Sequence, residues 1–400
     1  MDFSVDVLSD TRLTSVIDDA SAVLRRTDLG LQLSKYITLG RFEEMLWLAD
    51  QHDPKRIQIS RDGLARADER IDIMRSLPRV LNENYSVVLN YAERFDPKLA
   101  VLANDVSHVG DGVVNLAIFL APAGYGAFGA HFDNLDVYAV QLHGKKIWNL
   151  GSEASLPRYK ANLEDGHKLL DRSEVLSVGD LLYVPRGLPH SVQACGSEFS
   201  LHVSIALNPV KWADVLQGAL KTRTECELRI RRRFSFDNLS EEPIQAEFGK
   251  LAAQQTRHSL RRIKGKLRQN QICAMRQPPG GVIKRALQEN KITCSDRVKF
   301  RRGVFVSIML ADDGGTVLCG FPGLVPTHLS ADEIQSINDA SITRGSSQLT
   351  FPIAALSALE YISRNGANPV LVANLPGPLN DDSKALLVGR LVRDGVLEQC

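Results

Sequence analysis

The triplet His131-Phe132-Asp133 is answered far downstream by His190, at the end of Gly179-Asp180-Leu181-Leu182-Tyr183-Val184-Pro185-Arg186-Gly187-Leu188-Pro189-His190. No other feature constrains the fold of this chain as strongly. In a strand, residues i and i+2 project to the same side, so His131 and Asp133 can reach one ion from one strand. His190 must then arrive from a strand distant in sequence, which a β-barrel core provides. Two histidines and one carboxylate are the set that holds non-haem Fe(II) on one face and leaves the opposite positions open. Three ligands with no evident fourth argue against a closed structural zinc site.

Taken alone, a His-x-Asp triplet is often an ordinary strand with a surface acid, so its surroundings decide. Val137-Tyr138-Ala139-Val140-Gln141-Leu142 reads as a buried strand, His143-Gly144-Lys145-Lys146 as a turn, and Ile147-Trp148-Asn149-Leu150 as the returning strand. Leu181 to Val184 is a further apolar strand, ended by a Pro-Arg-Gly-x-Pro turn that leads into His190. Leu201-His202-Val203-Ser204-Ile205-Ala206-Leu207 closes the strand-rich region, and Pro209 punctuates its end.

These residues carry a family resemblance. Gly129-Ala130-His131-Phe132-Asp133-Asn134-Leu135-Asp136-Val137-Tyr138, continued through Gln141-Leu142-His143-Gly144-Lys145-Lys146-Ile147-Trp148 and the His190 segment, resembles the JmjC-type, cupin-like 2-oxoglutarate oxygenases. The branch it is most similar to is the ribosomal oxygenases, which hydroxylate side chains of ribosomal proteins. The motifs span residues 110–210, and a looser likeness in domain order extends over most of the chain. The resemblance implies a mainly β core, a double-stranded β-helix of jelly-roll type, with Fe(II), 2-oxoglutarate and O2. It implies His131, Asp133 and His190 as catalytic metal ligands, and Lys146 as the cation that grips the distal carboxylate of 2-oxoglutarate.

Physical chemistry gives Lys146 the same role, since a carboxylate buried in a barrel needs a cation and hydrogen bonds to offset its desolvation. Residues 146 and 148 share a strand face, so an inward Lys146 brings Trp148 inward with it. Lys145 is the competitor, directed outward by alternation; two solvated lysines after a Gly turn is the plainer reading. The chain departs from the family on Asn115-Leu116-Ala117-Ile118-Phe119-Leu120, where Ala117 and Phe119 replace expected polar groups. Ser200, His202 or Ser204, which share one face, would supply those contacts, and Ser200 and Trp148 join Lys146 as cosubstrate residues. His202 reads as a packed barrel histidine rather than a fourth ligand.

The chain's 400 residues suggest two to three domains, and 44% hydrophobic content suffices for a sizeable core. No apolar run approaches the ~18 residues of a membrane span. The first residues lack the pattern of a signal peptide, and the cysteines form no C-x-x-C pair. A reducing, cytoplasmic setting is therefore expected. We read residues 1–208 as the catalytic domain with an N-terminal helical extension. Leu13, Val16 and Ile17, then Phe42, Met45, Leu46 and Ala49, have helical spacing there. Strands are expected at 56–60 and 85–89, and a helix from Pro97.

Residues 209–298 form a helical, basic region that the resemblance makes a dimerisation module. The overlapping stretch 211–300 holds 20 Lys and Arg against 9 Asp and Glu, with basic clusters at 229–233 and 257–268. Trp212, Val215, Leu216 and Ala219 make one helical stripe. The charge suits RNA or ribosome docking, an acidic partner, or simply a solvated face. Residues 299–400 read as a winged-helix-like unit: a hairpin around Asp312-Asp313-Gly314-Gly315, helices from Phe351 and Asp382, and a closing strand at 395–398.

The expected activity is hydroxylation of a side chain in a protein or peptide, a ribosomal protein first. An N-methylated or biosynthetic peptide substrate would use the same motifs. Aromatic content is 6%, with no clustered cage for a methylated lysine. A non-catalytic ligand sensor with a DNA-reading C-terminus is the reading from another class.

Overall fold

Two-residue alternation along long strands builds the first unit, Met1–Pro209. The computed structural model describes residues 23–65, 73–152, 170–226, 249, 257–275, 291–311, 314–322 and 346–400. Its larger sheet runs β1 (Val23–Arg26), β9 (Asp180–Val184), β6 (Asp136–His143), β11 (Ser200–Pro209), β5 (Gly112–Ala121), β4 (Ser86–Asn90), β2 (Ile57–Arg61) and β3 (Leu64–Ala65). A second sheet orders β10 (His190–Cys195), β7 (Lys145–Leu150) and β8 (Arg172–Leu176). Every pairing is antiparallel.

The central strands bury both faces. Tyr138, Val140 and Leu142 of β6, with Leu201, Val203 and Ile205 of β11, pack against Leu33 of α1 (Asp28–Tyr36) and Phe42, Met45 and Leu46 of α2 (Leu39–His52). On the opposite face Val137, Ala139, Leu182 and Val184 meet Trp148, Leu150 and Leu176 of the small sheet. Two antiparallel sheets closed face to face make the expected jelly-roll core. Thr27 and Thr38 cap α1 and α2 by accepting from the Gly30 and Arg41 N–H groups. The helix expected from Pro97 is present, and Asp96 caps it. The stripe of Phe42, Met45, Leu46 and Ala49 is fully buried. Leu13, Val16 and Ile17 lie outside the described residues.

Two local expectations are corrected. His143 to Lys146 is not a hairpin turn, because β6 pairs with β9 and β11 while β7 pairs with β10 and β8. The chain changes sheet at Gly144, which has φ +62°, and a Cβ there would lie 2.3 Å from the Phe199 carbonyl oxygen. Only glycine fits that approach. His131 and Asp133 also do not share a regular strand. His131 makes an isolated bridge to His190, and Asp133 follows in the loop before β6.

The second unit, Val210–Cys400, holds helices α5 (Trp212–Cys226) and α6 (Arg257–Ala274) and two three-stranded sheets. On α5, Trp212 is 81% and Leu216 65% exposed, so among the described residues only Val215 and Ala219 of the stripe read from the sequence are half-buried. Cluster 257–268 falls on α6, whereas 229–233 lies outside the described residues. The hairpin β13 (Ser307–Leu310) to β14 (Thr316–Pro322) is present; Asp312 and Asp313 are outside the described residues. Phe351 and Pro352 end strand β15 (Ser346–Pro352) instead of starting a helix. Their pairing with Val317 and Thr316 holds them extended, and the helix begins at Leu356. A second helix spans Asp381–Arg393, and the closing strand is Leu397–Gln399. No described helix is long and apolar enough to cross a membrane.

Candidate metal centre and cosubstrate pocket

Backbone pairing brings the first and last candidate ligands together. His131 N–H donates to His190 C=O at 2.9 Å, and His190 N–H returns the bond to His131 C=O at 2.7 Å. The two imidazole centroids lie 4.3 Å apart. Asp133 Oδ2 stands 3.7 Å from His190 Nε2, and ligand atoms of all three residues lie within 4.8 Å of one another. Phe132, between the two ligands of the first loop, is buried.

The donor set fits a divalent transition metal. Nδ1 of His131 bonds to the Gly129 carbonyl at 2.8 Å, and Nδ1 of His190 to the Leu188 carbonyl at 3.0 Å. Each carbonyl fixes Nδ1 as the protonated nitrogen and leaves Nε2 as a lone-pair donor. Burial first, and then His131, push the His190 imidazolium down to about 4, so His190 is neutral at physiological pH. Asp133 and His131 are partly exposed while His190 is buried, so the triad lines an accessible rim.

Below that rim the barrel interior holds a buried cation. Alternation on β7 leaves Lys145 exposed and buries Lys146, Trp148 and Leu150. Lys146 Nζ donates to His202 Nδ1 at 2.5 Å and, weakly, to the Phe119 carbonyl at 3.4 Å. His202 stacks on Phe119 with centroids 4.6 Å apart. Among the described residues Lys146 forms no ion pair, and burial pushes its ammonium down to about 7. Burial first, then Lys146, also hold His202 well below its ordinary value. Trp148 stacks near His190 at 5.7 Å and meets His202 edge-on at 5.6 Å, linking rim and interior. Its Nε1–H is buried without an acceptor among the described residues. A cation without a counter-charge and an indole donor without an acceptor are the features a bound carboxylate would satisfy.

Residues 89–215, which include His131, Asp133, Lys146, Trp148, His190 and His202, match the JmjC domain family. The chain carries a JmjC domain. It is 27% identical over 237 residues to Ribosomal oxygenase 1 of Gallus gallus, covering 55% of this chain and 39% of that protein. It is 25% identical over 200 residues to the Caenorhabditis elegans bifunctional lysine-specific demethylase and histidyl-hydroxylase NO66, covering 47% of this chain and 23% of that protein. The chain thus spans well under half the length of both relatives. The structure of YcfD, a ribosomal oxygenase from Escherichia coli in complex with cobalt and 2-oxoglutarate, superposes with TM-score 0.50 at 15% identity, covering 95% of this chain and 94% of that one. At that identity the likeness shows the fold.

Within the JmjC barrel the other sequence candidates are placed as follows. Ser200, His202 and Ser204 are all buried on β11. His202 meets Lys146, whereas Ser200 Oγ accepts from Gln141 Nε2 at 2.8 Å. Sequence reasoning missed Gln141, although its position two residues before His143 on an otherwise apolar strand was a visible signal. It also missed the pair Asp136–Arg186, whose Arg sits in the Pro-Arg-Gly turn.

Proposed function

We propose that this chain is an Fe(II)- and 2-oxoglutarate-dependent oxygenase that hydroxylates a side chain of a protein or peptide. The observation that carries the reading is the pairing of an open His-Asp-His rim with a buried lysine that lacks an anion. His131, Asp133 and His190 would hold the metal through Nε2, a carboxylate oxygen and Nε2. Bound iron supplies O2 activation coupled to oxidative decarboxylation of 2-oxoglutarate, yielding succinate and CO2. The protein's own part is binding and exclusion of water. Lys146 neutralises the far carboxylate of the cosubstrate, Trp148 Nε1–H supplies a further donor, and Ser200 holds Gln141 in the other sheet. His202 keeps the Lys146 ammonium aimed into the barrel.

The names of the relatives favour a ribosomal protein as substrate. The exposed Trp212 and Leu216 of α5 support a homodimer contact, and the basic content of 211–300 supports contact with RNA or the ribosome. On this reading residues 1–208 are catalytic, 209–298 the dimerisation module and 299–400 a winged-helix-like unit, in a cytoplasmic enzyme. The test is direct. Purified protein is supplied with Fe(II), 2-oxoglutarate and ribosomes from cells lacking it. Succinate should form only with both additions, and one ribosomal-protein peptide should gain the mass of one oxygen atom. Tight duplex-DNA binding with no succinate would establish the non-catalytic sensor instead.

A further inference from the structure

We infer that Asp136 and Arg186 form a positioning pair that sets the geometry of the metal ligands, an inference that rests on the metal-centre reading above. Asp136 is 1% exposed, the first residue of β6 and three positions beyond Asp133. Arg186 lies between β9 and His190, in a loop that carries Pro185, Gly187 and Pro189. The two residues therefore stand at the point where neighbouring strands diverge into the two ligand-bearing loops.

Both carboxylate oxygens of Asp136 are committed to that loop. Oδ1 accepts from the Arg186 backbone N–H at 3.1 Å, and Oδ2 accepts from Arg186 Nη1 at 2.9 Å. Accounting for the backbone donors shows why a side chain is needed here. The two prolines have none, and Leu188 N–H turns back onto Pro185 C=O. The remaining three donors all cross to the first ligand loop: Arg186 to Asp136, Gly187 to the Asp133 carbonyl at 2.7 Å, and His190 to the His131 carbonyl. The donors of one ligand loop are thus satisfied almost entirely by the other. Asp136 is the one side-chain acceptor in that seam, and its charge is the one buried there. Neither Asp136 nor Arg186 belongs to the ligand cluster, so the pair acts through Asp133 and His190.

Outer-shell partners of metal ligands commonly change metal affinity by about 10- to 100-fold when removed. Asp136→Asn keeps the shape and one acceptor but removes the charge. Arg186→Met removes the guanidinium from a side chain about one-third exposed, so the fold should survive it. The experiment is titration of full-length, metal-free protein with Mn(II) and Co(II). It reads the dissociation constant and the visible Co(II) absorption bands, with thermal melting of the metal-free protein as a fold control. We expect each variant to weaken metal binding by roughly 10-fold or more and to shift the Co(II) bands, while still melting cooperatively at a temperature lowered by the lost ion pair. The double variant should be no weaker than the worse single one, because one interaction is being removed. Unchanged affinity and spectrum in a folded variant, or strictly additive losses, would overturn the pair. If Asp136→Asn does not fold, Arg186→Met alone decides. Wild-type protein that binds neither ion would instead sink the metal-centre reading.

Discussion

The rim of the JmjC barrel and its interior are organised on opposite principles. At the rim, His131 and Asp133 lie outside regular strands, and their geometry comes from backbone bonds between two loops. In the interior, Lys146, Trp148 and His202 sit on strands, and alternation alone decides which way they face. The rim is half-open and every imidazole Nδ1 there is engaged; among the described residues the closed interior holds a cation without a counter-charge and an indole N–H without an acceptor. A rim of this kind is complete as a ligand set before anything binds, whereas the interior is complete only with an anion in it. Metal and cosubstrate should therefore fail separately when each region is damaged.

The largest expected effect is at the rim. Asp133→Ala should abolish Fe(II)-dependent succinate release, by more than the roughly 100-fold that outer-shell losses reach. Undiminished turnover would break the ligand assignment. Lys146→Ala should raise the 2-oxoglutarate KM by about 100-fold, as expected when a buried charge pair loses one partner. It should leave the Mn(II) dissociation constant unchanged. Lys145→Ala serves as the matched control and should do neither. If the two lysines exchange these effects, the strand face has been misassigned.

The pH dependence separates the regions further. Lys146 titrates near 7 in the folded protein against an ordinary 10.5. Between those values the unfolded chain binds a proton that the folded one does not, so stability of the ligand-free protein rises with pH across that window. Urea midpoints of wild type measured against Lys146→Met should show that rise, which the variant lacks. Because 2-oxoglutarate selects the charged lysine, its affinity should fall as pH climbs above about 7. A flat profile would mean that the ammonium is not the anchor. The smallest effect is Trp148→Phe, which keeps the ring and removes the donor. A hydrogen bond to a charged group is worth ~1.5 kcal/mol at the low end, so 2-oxoglutarate affinity should fall by about 10-fold. No change would remove Nε1–H from the list of cosubstrate donors.

The contrast also explains what could be read from the sequence. The strand that carries Lys146 is legible because burial on one face imposes a period of two, and Leu181 to Val184 because a strand buried on both faces reads as a short apolar run. The face of Lys146 against Lys145 followed from that rule, and so did the shared face of Ser200, His202 and Ser204. The sheet change at Gly144 was not legible, because a positive-φ glycine between two strands signals a hairpin as readily as a crossover. Nor was the loss of regular strand at His131, which depends on the facing loop. The Lys146–His202 contact joins residues on strands far apart in sequence, and no local pattern encodes such a meeting. In the second unit, proline's preference for the first turn predicts a helix start at Phe351 and Pro352. Pairing with β14 overrode it.

Gly144 carries one more implication. A chain that swaps layers within a single residue leaves no slack for counting. Adding or deleting one amino acid there would present Lys145 to the interior and push Lys146 into water, inverting the whole of β7. Insertions elsewhere in surface connections are tolerated far more readily. Homologous barrels that bind the same dianion should therefore keep this junction at constant length even where every neighbouring loop varies.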